Sequence, residues 1–317
     1  MRILINLVIF FLLINQSASS QQAGCTDSLA NNFNPEAVIN DGSCHYAFKS
    51  IKPPVIIGKL PATVTESSGL LYWKESYWTQ NDSDGKNELY RLDNKTGEII
   101  QKVKILNAAN IDWEEITQDE NFIYIGDFGN NRGNRKNLTI YKVNKADIPS
   151  ENDTSLYAYA ISFAYGDQID FTIKNLKNDF DCEAMISSGD SLYLFSKNWV
   201  HRTTRLYSLP KTPGRYTIFP LDEYNVNGLI TGAALDEINK TIVLCGYWNY
   251  FPFIWILNDF QENNFFSGNK RRIELVELFS TQTEAVAYIS DQVFVISCES
   301  TPLQNAKIFR LDLKLIK

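Results

Sequence analysis

One short pattern recurs five times along this chain and constrains its fold more than any other feature. In each copy an aliphatic residue precedes an aromatic one, and a second aliphatic residue follows two positions later. The copies are Leu89-Tyr90-x-Leu92, Ile140-Tyr141-x-Val143, Leu206-Tyr207-x-Leu209, Ile254-Trp255-x-Leu257 and Ile308-Phe309-x-Leu311. Their aromatic positions are 51, 66, 48 and 54 residues apart. A repeat of about 50 residues indicates one supersecondary unit per copy.

Each unit contains further segments that predict β-strands. An apolar run with strand character lies about 20 residues before most copies, as in 122–125 and 192–195, and a first strand begins before that run. A fourth strand is predicted in four units, at Ile99–Ile105, Leu156–Phe163, Tyr216–Leu221 and Ile273–Leu278. Four strands per unit at this spacing are typical of β-propeller blades. The sequence therefore predicts an all-β chain with a five-bladed propeller.

Two alternatives remain open for the fold. Six blades would result if the 66-residue interval contained a degenerate blade, and β-sandwiches would explain the alternation but not the repeated internal order. The last unit has three strands, and Val55–Leu60, at the other end of the domain, can supply its fourth. Such a closure removes an exposed sheet edge.

The first 20 residues have the order of a secretory signal peptide. Arg2 is followed by an apolar run from Ile3 to Ile14 and then by small residues up to Ser20. This run is too short to span a bilayer, and no later segment is predicted to be transmembrane. We expect a signal peptide at 1–20, a small module at 21–48, a linker at 49–54 and the propeller at 55–317, in a secreted or periplasmic protein.

The small module contains Cys25 and Cys44. A segment this short cannot bury a core, so in an oxidising compartment we expect the two cysteines to form a disulfide. The module resembles the short thrombospondin type 3-like repeat of exported bacterial proteins, since Gly24-Cys25-Thr26-Asp27 opens it and Asp41-Gly42-Ser43-Cys44 ends it. The resemblance implies calcium binding, with candidate ligands Asp27, Asn32, Asn34 and Asp41. Asn40 departs from the pattern, which has Asp there, and a disulfide-closed spacer without an ion is the alternative.

Aligning the units brings polar residues together in the central channel. The first strands place Gly69, Glu114, Glu183, Gly232 and Glu284 at one position, and the second strands end at Asp82, Asp127, Lys197, Tyr247 and Glu299. Carboxylates that converge raise each other's pKa, and a hard cation such as Ca²⁺ relieves their repulsion. We expect calcium at Glu114, Glu183, Glu284 and Asp127. The alternative is a water-filled channel in which Lys197 compensates the charge.

The loop after the second strand of the second unit carries a denser motif. Asp127-Phe128-Gly129-Asn130-Asn131 precedes Arg135, and with Asp112-Trp113-Glu114 it resembles a signature of exported bacterial propellers. These are related to the phytase-like, gluconolactonase-like and strictosidine-synthase-like groups. The resemblance, which covers most of residues 62–313, adds Asn131 and Arg135 to Asp82, Lys197 and Glu299 as candidate ligand-binding residues.

Net charge narrows the function classes. The chain has 30 Lys plus Arg against 37 Asp plus Glu, a net charge of −7, which argues against nucleic acid as a partner. We expect an exported calcium-binding propeller that binds a protein, a saccharide or a small molecule. A metal-dependent hydrolase of the phosphoesterase or lactonase type is the alternative, with its site at the channel. A scaffold for protein partners is a third reading, and the sequence does not decide whether the protein is an enzyme.

Overall fold

The computed structural model describes residues 22–51, 55–83, 85–300 and 305–316. Two short parallel strands, β1 (Ala23–Gly24) and β2 (Ile39–Asn40), form the small module. Cys25 and Cys44 are bonded to each other, as predicted. The predicted signal peptide lies outside the described residues.

Five sheets follow, and each of them is one propeller blade. The innermost strands contact each other in a closed cycle, in the blade order 1-2-3-4-5-1. In blade 1 the strands are β4 (Ser67–Trp73), β5 (Ser76–Asn81), β6 (Glu88–Asp93) and β7 (Ile99–Ile105). Blade 2 has β8 (Trp113–Gln118), β9 (Phe122–Asp127), β10 (Leu138–Asn144) and β12 (Tyr159–Tyr165). Blade 3 has β13 (Asp181–Ser188), β14 (Ser191–Lys197), β15 (Thr204–Pro210) and β17 (Asp222–Tyr224).

Blades 4 and 5 complete the ring. Blade 4 has β18 (Leu229–Asp236), β19 (Thr241–Trp248), β20 (Phe251–Asn258) and β21 (Asn269–Glu274). Blade 5 has β22 (Thr283–Ser290), β23 (Val293–Cys298) and β24 (Lys307–Asp312), and its outer strand is β3 (Val55–Lys59), antiparallel to β24. The predicted five blades and the closure by the N-terminal strand are confirmed.

Three predicted outer strands differ from the structure. The strand predicted as Ile273–Leu278 is β21, Asn269–Glu274, and Val276–Leu278 forms a 3-10 turn. The segment predicted as Leu156–Phe163 is split, because β11 (Thr154–Leu156) pairs with β7 of blade 1 and only β12 belongs to blade 2. The segment predicted as Tyr216–Leu221 contains β16 (Gly214–Ile218), which pairs with β12 at the edge of blade 2. Each extra strand covers the outer edge of the preceding blade. The long interval between the second and third repeats thus contains β11 and a loop at 166–180.

The apolar core consists of five clusters, one at each interface between neighbouring blades. For example, Trp78 and Leu89 of blade 1 pack with Trp113 and Ile125 of blade 2. The last interface joins Tyr77 and Leu92 of blade 1 to Val295 and Ile308 of blade 5. Apolar burial stabilises by about 25 cal/mol per Å², so these interfaces are where the ring gains most of its stability. Within the described residues, no helix is long and apolar enough to cross a membrane.

Candidate functional site

All five innermost strands carry a β-bulge at the same level. The register shifts between Ser67 and Gly69 in blade 1, and at the corresponding points of the other four blades. A bulge inserts one residue and re-aims its side chain. The inserted residues are Ser68, Glu114, Glu183, Thr231 and Glu284. Blades 1 and 4 therefore contribute Ser68 and Thr231 at this level, not the aligned Gly69 and Gly232.

A second ring comes from the ends of the second strands. The strand pairing makes Asp82, Lys197, Tyr247 and Glu299 equivalent, whereas blade 2 places Phe128 there. Asp127 precedes the ring position by one residue. Because side chains alternate along a strand, it lies on the opposite face from the ring residues. Its carboxylate contacts Arg135 Nη2 at 2.8 Å and accepts a hydrogen bond from the Asp112 amide. Asp127 is therefore engaged by Arg135.

Two acids that were not predicted as ligands lie above the bulges. Asp112 directly precedes β8 and Asp181 is the first residue of β13, so each lies two residues before the glutamate of its blade, Glu114 or Glu183. Asp181 is fully buried and accepts a hydrogen bond from Trp199 Nε1 at 2.8 Å. The signal for both residues is the Asp-x-Glu spacing that blades 2 and 3 share.

Asp82, Asp112 and Glu114 form the tightest acidic group. One carboxylate oxygen from each lies within 4.8 Å of the others. Asn110 holds the two blades together here, since its Nδ2 donates to the carbonyls of Asn81 and Asp82 at 2.9 and 2.8 Å. We call Asp82, Asp112 and Glu114 the acidic triad. It lies between blades 1 and 2.

Because Gly129 has no side chain, two carboxylates of the acidic triad can lie against its backbone. A Cβ at position 129 would be 2.1 Å from Glu114 Oε1 and 2.6 Å from Asp112 Oδ2. Such contacts are far inside van der Waals distance. A glycine is therefore required here because the carboxylates approach the backbone closely.

Among the inserted bulge residues, two buried carboxylate oxygens have no hydrogen-bond partner in the described part of the chain. They are Glu114 Oε1 and Glu183 Oε1, on side chains that are 2% and 3% exposed. The other oxygen of each carboxylate is engaged: Glu114 Oε2 accepts from Ser68 Oγ at 3.2 Å, and Glu183 Oε2 lies 3.1 Å from Lys197 Nζ. Buried polar atoms are nearly always paired, so unpaired carboxylate oxygens indicate a missing partner.

Charge compensation is uneven around the ring. In the half formed by blades 3 to 5, Lys197 pairs with Glu183, and Gln282 Nε2 lies 3.4 Å from both Glu284 and Glu299. Of the acidic triad, only Asp112 has a cation within 4 Å among the described residues. This cation is Arg135, whose Nη1 lies 3.9 Å from Asp112 and whose Nη2 is bound to Asp127. The acidic triad therefore has much the weaker compensation.

The pKa values reflect this crowding. Burial, reinforced by neighbouring carboxylates, raises the pKa of Glu284 to about 7 and that of Glu299 to about 9. The same causes raise the pKa of Asp112 to about 7 and put that of Glu114 well above its ordinary value. Without a cation, part of this cluster holds protons at neutral pH.

Glu115 forms the floor of the acidic channel. The four other blades have only small residues at its position, namely Gly69, Ala184, Gly232 and Ala285. This leaves space for its side chain, and its carboxylate accepts backbone hydrogen bonds from Ile116 and Ala233 at 3.0 Å each. On the side of Glu115 away from the acidic triad lies a cavity of about 560 Å³, and its mostly aliphatic and polar lining includes Tyr72, Trp73 and Tyr288.

The remaining predicted ligands have local partners. Asp27 accepts hydrogen bonds from the Leu29 amide and from Tyr46 Oη, and Asn34 accepts one from the Glu36 amide. Asn32 bonds to residues 43 and 45, and Asp41 accepts from the Ser43 amide. The described contacts of Asn131 go through its backbone carbonyl. These bonds account for the module residues as turn-forming side chains.

Comparison with known proteins gives only distant structural similarity. A scan against models of known protein families finds no match, and a search of curated proteins finds no similar sequence. The chain is similar to a solved glucose dehydrogenase, with 7% identity and a TM-score of 0.47, over 80% of this chain and 98% of that one. A chain of a nidogen–laminin complex gives 15% identity and a TM-score of 0.43, over 86% and 81% of the two chains.

A third similar structure is a candidate 6-phosphogluconolactonase from Bacteroides uniformis. Its identity is 10% and its TM-score 0.36, over 78% of this chain and 72% of that one. Identities and TM-scores this low support no inference about activity. The five-bladed propeller rests on the strand pairing of the chain itself.

Proposed function

We propose that this protein is an exported calcium-binding propeller that acts as a binding protein, with a calcium ion held by the acidic triad. Two observations carry the proposal: one carboxylate oxygen from each of Asp82, Asp112 and Glu114 lies within 4.8 Å of the others, and Glu114 Oε1 is buried without a hydrogen-bond partner. The Cys25–Cys44 disulfide is compatible with an oxidising compartment.

The donor set favours a hard cation. The three side chains offer only carboxylate oxygens, which suit Ca²⁺ or Mg²⁺ and not the softer transition metals. Calcium accepts six to eight oxygens in flexible geometry, so the remaining positions would be open to water or to a ligand. Mg²⁺ demands near-ideal octahedral geometry, and a site assembled from two blades meets that demand less easily.

Contacts of the two nearby cations favour binding over hydrolysis. A hydrolase acting on an anionic substrate needs cations that are free to hold it. Lys197 is paired with Glu183, and Arg135 with Asp127 and the Gly129 carbonyl. We therefore keep the binding function as the proposal and leave hydrolysis as an outcome to be tested with ester, lactone and phosphoester substrates.

Calorimetric titration of the chelator-treated protein with Ca²⁺ tests the proposal. We expect saturable binding and a higher thermal midpoint, because a ligand of the folded state stabilises it by about 2.7 kcal/mol at a hundredfold excess over its dissociation constant. Glu114→Gln should abolish both effects. Glu120→Gln, at an exposed acid outside the triad, should change neither.

A further variant separates the channel from the module. Asp41→Asn removes a carboxylate of the small module and should leave one calcium site intact. If Glu114→Gln binds calcium as the parent does while Asp41→Asn does not, the ion belongs to the module and the proposed channel site is wrong. If neither the variants nor the parent bind calcium, there is no calcium site, and Lys197 and Arg135 compensate the carboxylates without an ion.

A further inference from the structure

The small module lies against the outer edge of blade 4. Asp259, in the turn between β20 and β21, accepts hydrogen bonds from Thr26 Oγ1 at 3.1 Å and from Asn40 Nδ2 at 2.7 Å. Asn40 Nδ2 also lies 2.8 Å from Asn269 Oδ1. The side-chain amide of Asn40 therefore donates to two side chains of the propeller, those of Asp259 and Asn269.

The side-chain oxygen of Asn40 fixes the orientation of its amide group. Its Oδ1 accepts a hydrogen bond from the Gly42 amide at 2.9 Å, so its Nδ2 must point at Asp259 and Asn269. An aspartate at position 40 could still accept the Gly42 bond. It would, however, place a carboxylate oxygen against the Asp259 carboxylate and against an amide oxygen, with no proton for either. The amide at position 40 is what makes the contact favourable.

Backbone contacts beside Asn40 are equally close. Gly42 has φ +74°, and a Cβ there would lie 2.5 Å from the Ser267 carbonyl oxygen. Lys270 Nζ donates to the carbonyls of Gly42, Phe266 and Gly268 at 3.3, 2.9 and 2.6 Å. Lys270 opens the run Lys270-Arg271-Arg272, and Arg271 lies over the Tyr46 ring at 5.7 Å. Two residues of this basic run, Lys270 and Arg271, thus contact the module.

The start of the predicted linker extends blade 4. Lys49 O accepts a hydrogen bond from the Glu274 amide at 2.9 Å, and the Ile51 amide donates to Glu274 O at 3.4 Å. Ser50 forms a parallel bridge with Glu274, and Ile51 packs on the cluster between blades 4 and 5. Residues 49–51 therefore pair with Glu274, the last residue of β21, on the edge that β11 and β16 cover in blades 1 and 2.

We infer that the module is an intramolecular cap for the outer edge of blade 4, and that Asn40 is the residue that selects this docking surface. An uncovered outer strand presents unpaired amide and carbonyl groups that invite pairing with another chain. The module packs against that edge, residues 49–51 pair with its last residue, and the partner of both is the Asp259–Glu274 segment. This inference does not depend on the proposed calcium site.

Hydrogen exchange of the full chain tests the inference. In Asn40→Asp we expect the amides of residues 269–274 to exchange about tenfold faster, since two hydrogen bonds become repulsive contacts worth about 1.4 kcal/mol together. Asp259→Asn combined with Asn40→Asp should restore protection, because the amide and the carboxylate have then changed places. Asn34→Asp is the matched control, as Asn34 Oδ1 accepts only the Glu36 amide within the described contacts.

Two results would overturn the inference. One is parent-like exchange at 269–274 in Asn40→Asp. The other is faster exchange that the added Asp259→Asn does not reverse, which would mean that the substitution acts on the module itself and not on the docking contact. Double-variant rescue distinguishes these cases because a module that cannot fold is not repaired by a change in the propeller.

Discussion

Gly129 shows how one backbone position determines whether a site exists at all. The carboxylates of Glu114 and Asp112 lie where any side chain at 129 would begin. The conformation of Gly129 is not the constraint, because its φ is not in the left-handed region; the constraint is space. A methyl group there would push apart two of the three side chains of the acidic triad.

We predict that Gly129→Ala lowers calcium affinity at least about tenfold, the equivalent of about 1.4 kcal/mol, because two ligands are displaced. The thermal midpoint without calcium should also fall, since overpacking typically costs about 1–3 kcal/mol. Calorimetry and thermal unfolding with chelator measure the two effects separately. Gly58→Ala is the control, because the nearest atom to its Cβ is 3.8 Å away. Unchanged calcium affinity in Gly129→Ala would contradict the placement of the ion.

Repeat alignment located part of the site at this scale. Glu114, Glu183 and Glu284 occupy equivalent bulge positions, and Asp82, Lys197 and Glu299 occupy the second ring. Ser68 and Thr231 were missed because a bulge shifts the register by one residue without a mark in the sequence. Asp127 was aligned one residue too early, since blade 2 has the apolar Phe128 at the position of the second ring. Whether a calcium ion is bound stays a prediction.

At the scale of the strands, the sequence pattern predicts where a strand lies better than it predicts which strand it pairs with. The run from Tyr216 to Leu221 has strand character, but alternation cannot say which blade it joins. In the structure β16 crosses to the edge of blade 2, where Ile218 is 4% exposed, while Leu221 is 59% exposed. The closing strand was predictable because the last unit lacked one strand. The pairings of β11 and β16 with the preceding blades were not predictable, since every blade already had a candidate for its fourth strand.

Ile218→Ala should destabilise the protein by about 2–4 kcal/mol, the usual cost of truncating a buried isoleucine. Leu221→Ala, at the other end of the same run, should change the free energy of unfolding by less than about 0.5 kcal/mol. Urea unfolding of both variants measures the difference. Equal effects would mean that β16 does not pack between blades 2 and 3.

For the whole molecule, the ring is held by five interblade clusters and one pairing between distant strands. The cluster between blades 5 and 1 includes Leu60, which is 6% exposed, and lies beside the paired strands β3 and β24. This interface is unlike the other four because residues on its two sides come from the two ends of the propeller segment. Its loss would open the ring.

Two truncated proteins test the closure and the cap separately. A protein starting at residue 52 lacks the module, and we expect a loss of about 1–2 kcal/mol from the missing hydrogen bonds at the blade 4 edge. A protein starting at residue 62 also lacks β3 and Leu60, and should lose about 3 kcal/mol more and aggregate. Urea midpoints and light scattering measure both. The same midpoint for the two proteins would show that β3 contributes nothing to closure.

The pairing of β3 with β24 also determines which step of folding comes last. The two strands are about 250 residues apart in sequence, so a chain that leaves the ribosome at roughly 5–20 residues per second must hold β3 without its partner for tens of seconds. During that time Tyr77 and Leu92 of blade 1 lack the blade 5 residues that later bury them. Blades 1 to 4 can form in order of synthesis, but the ring can close only when the last blade has arrived. The delay makes the half-finished ring, and not the finished protein, the species that most needs protection from other chains.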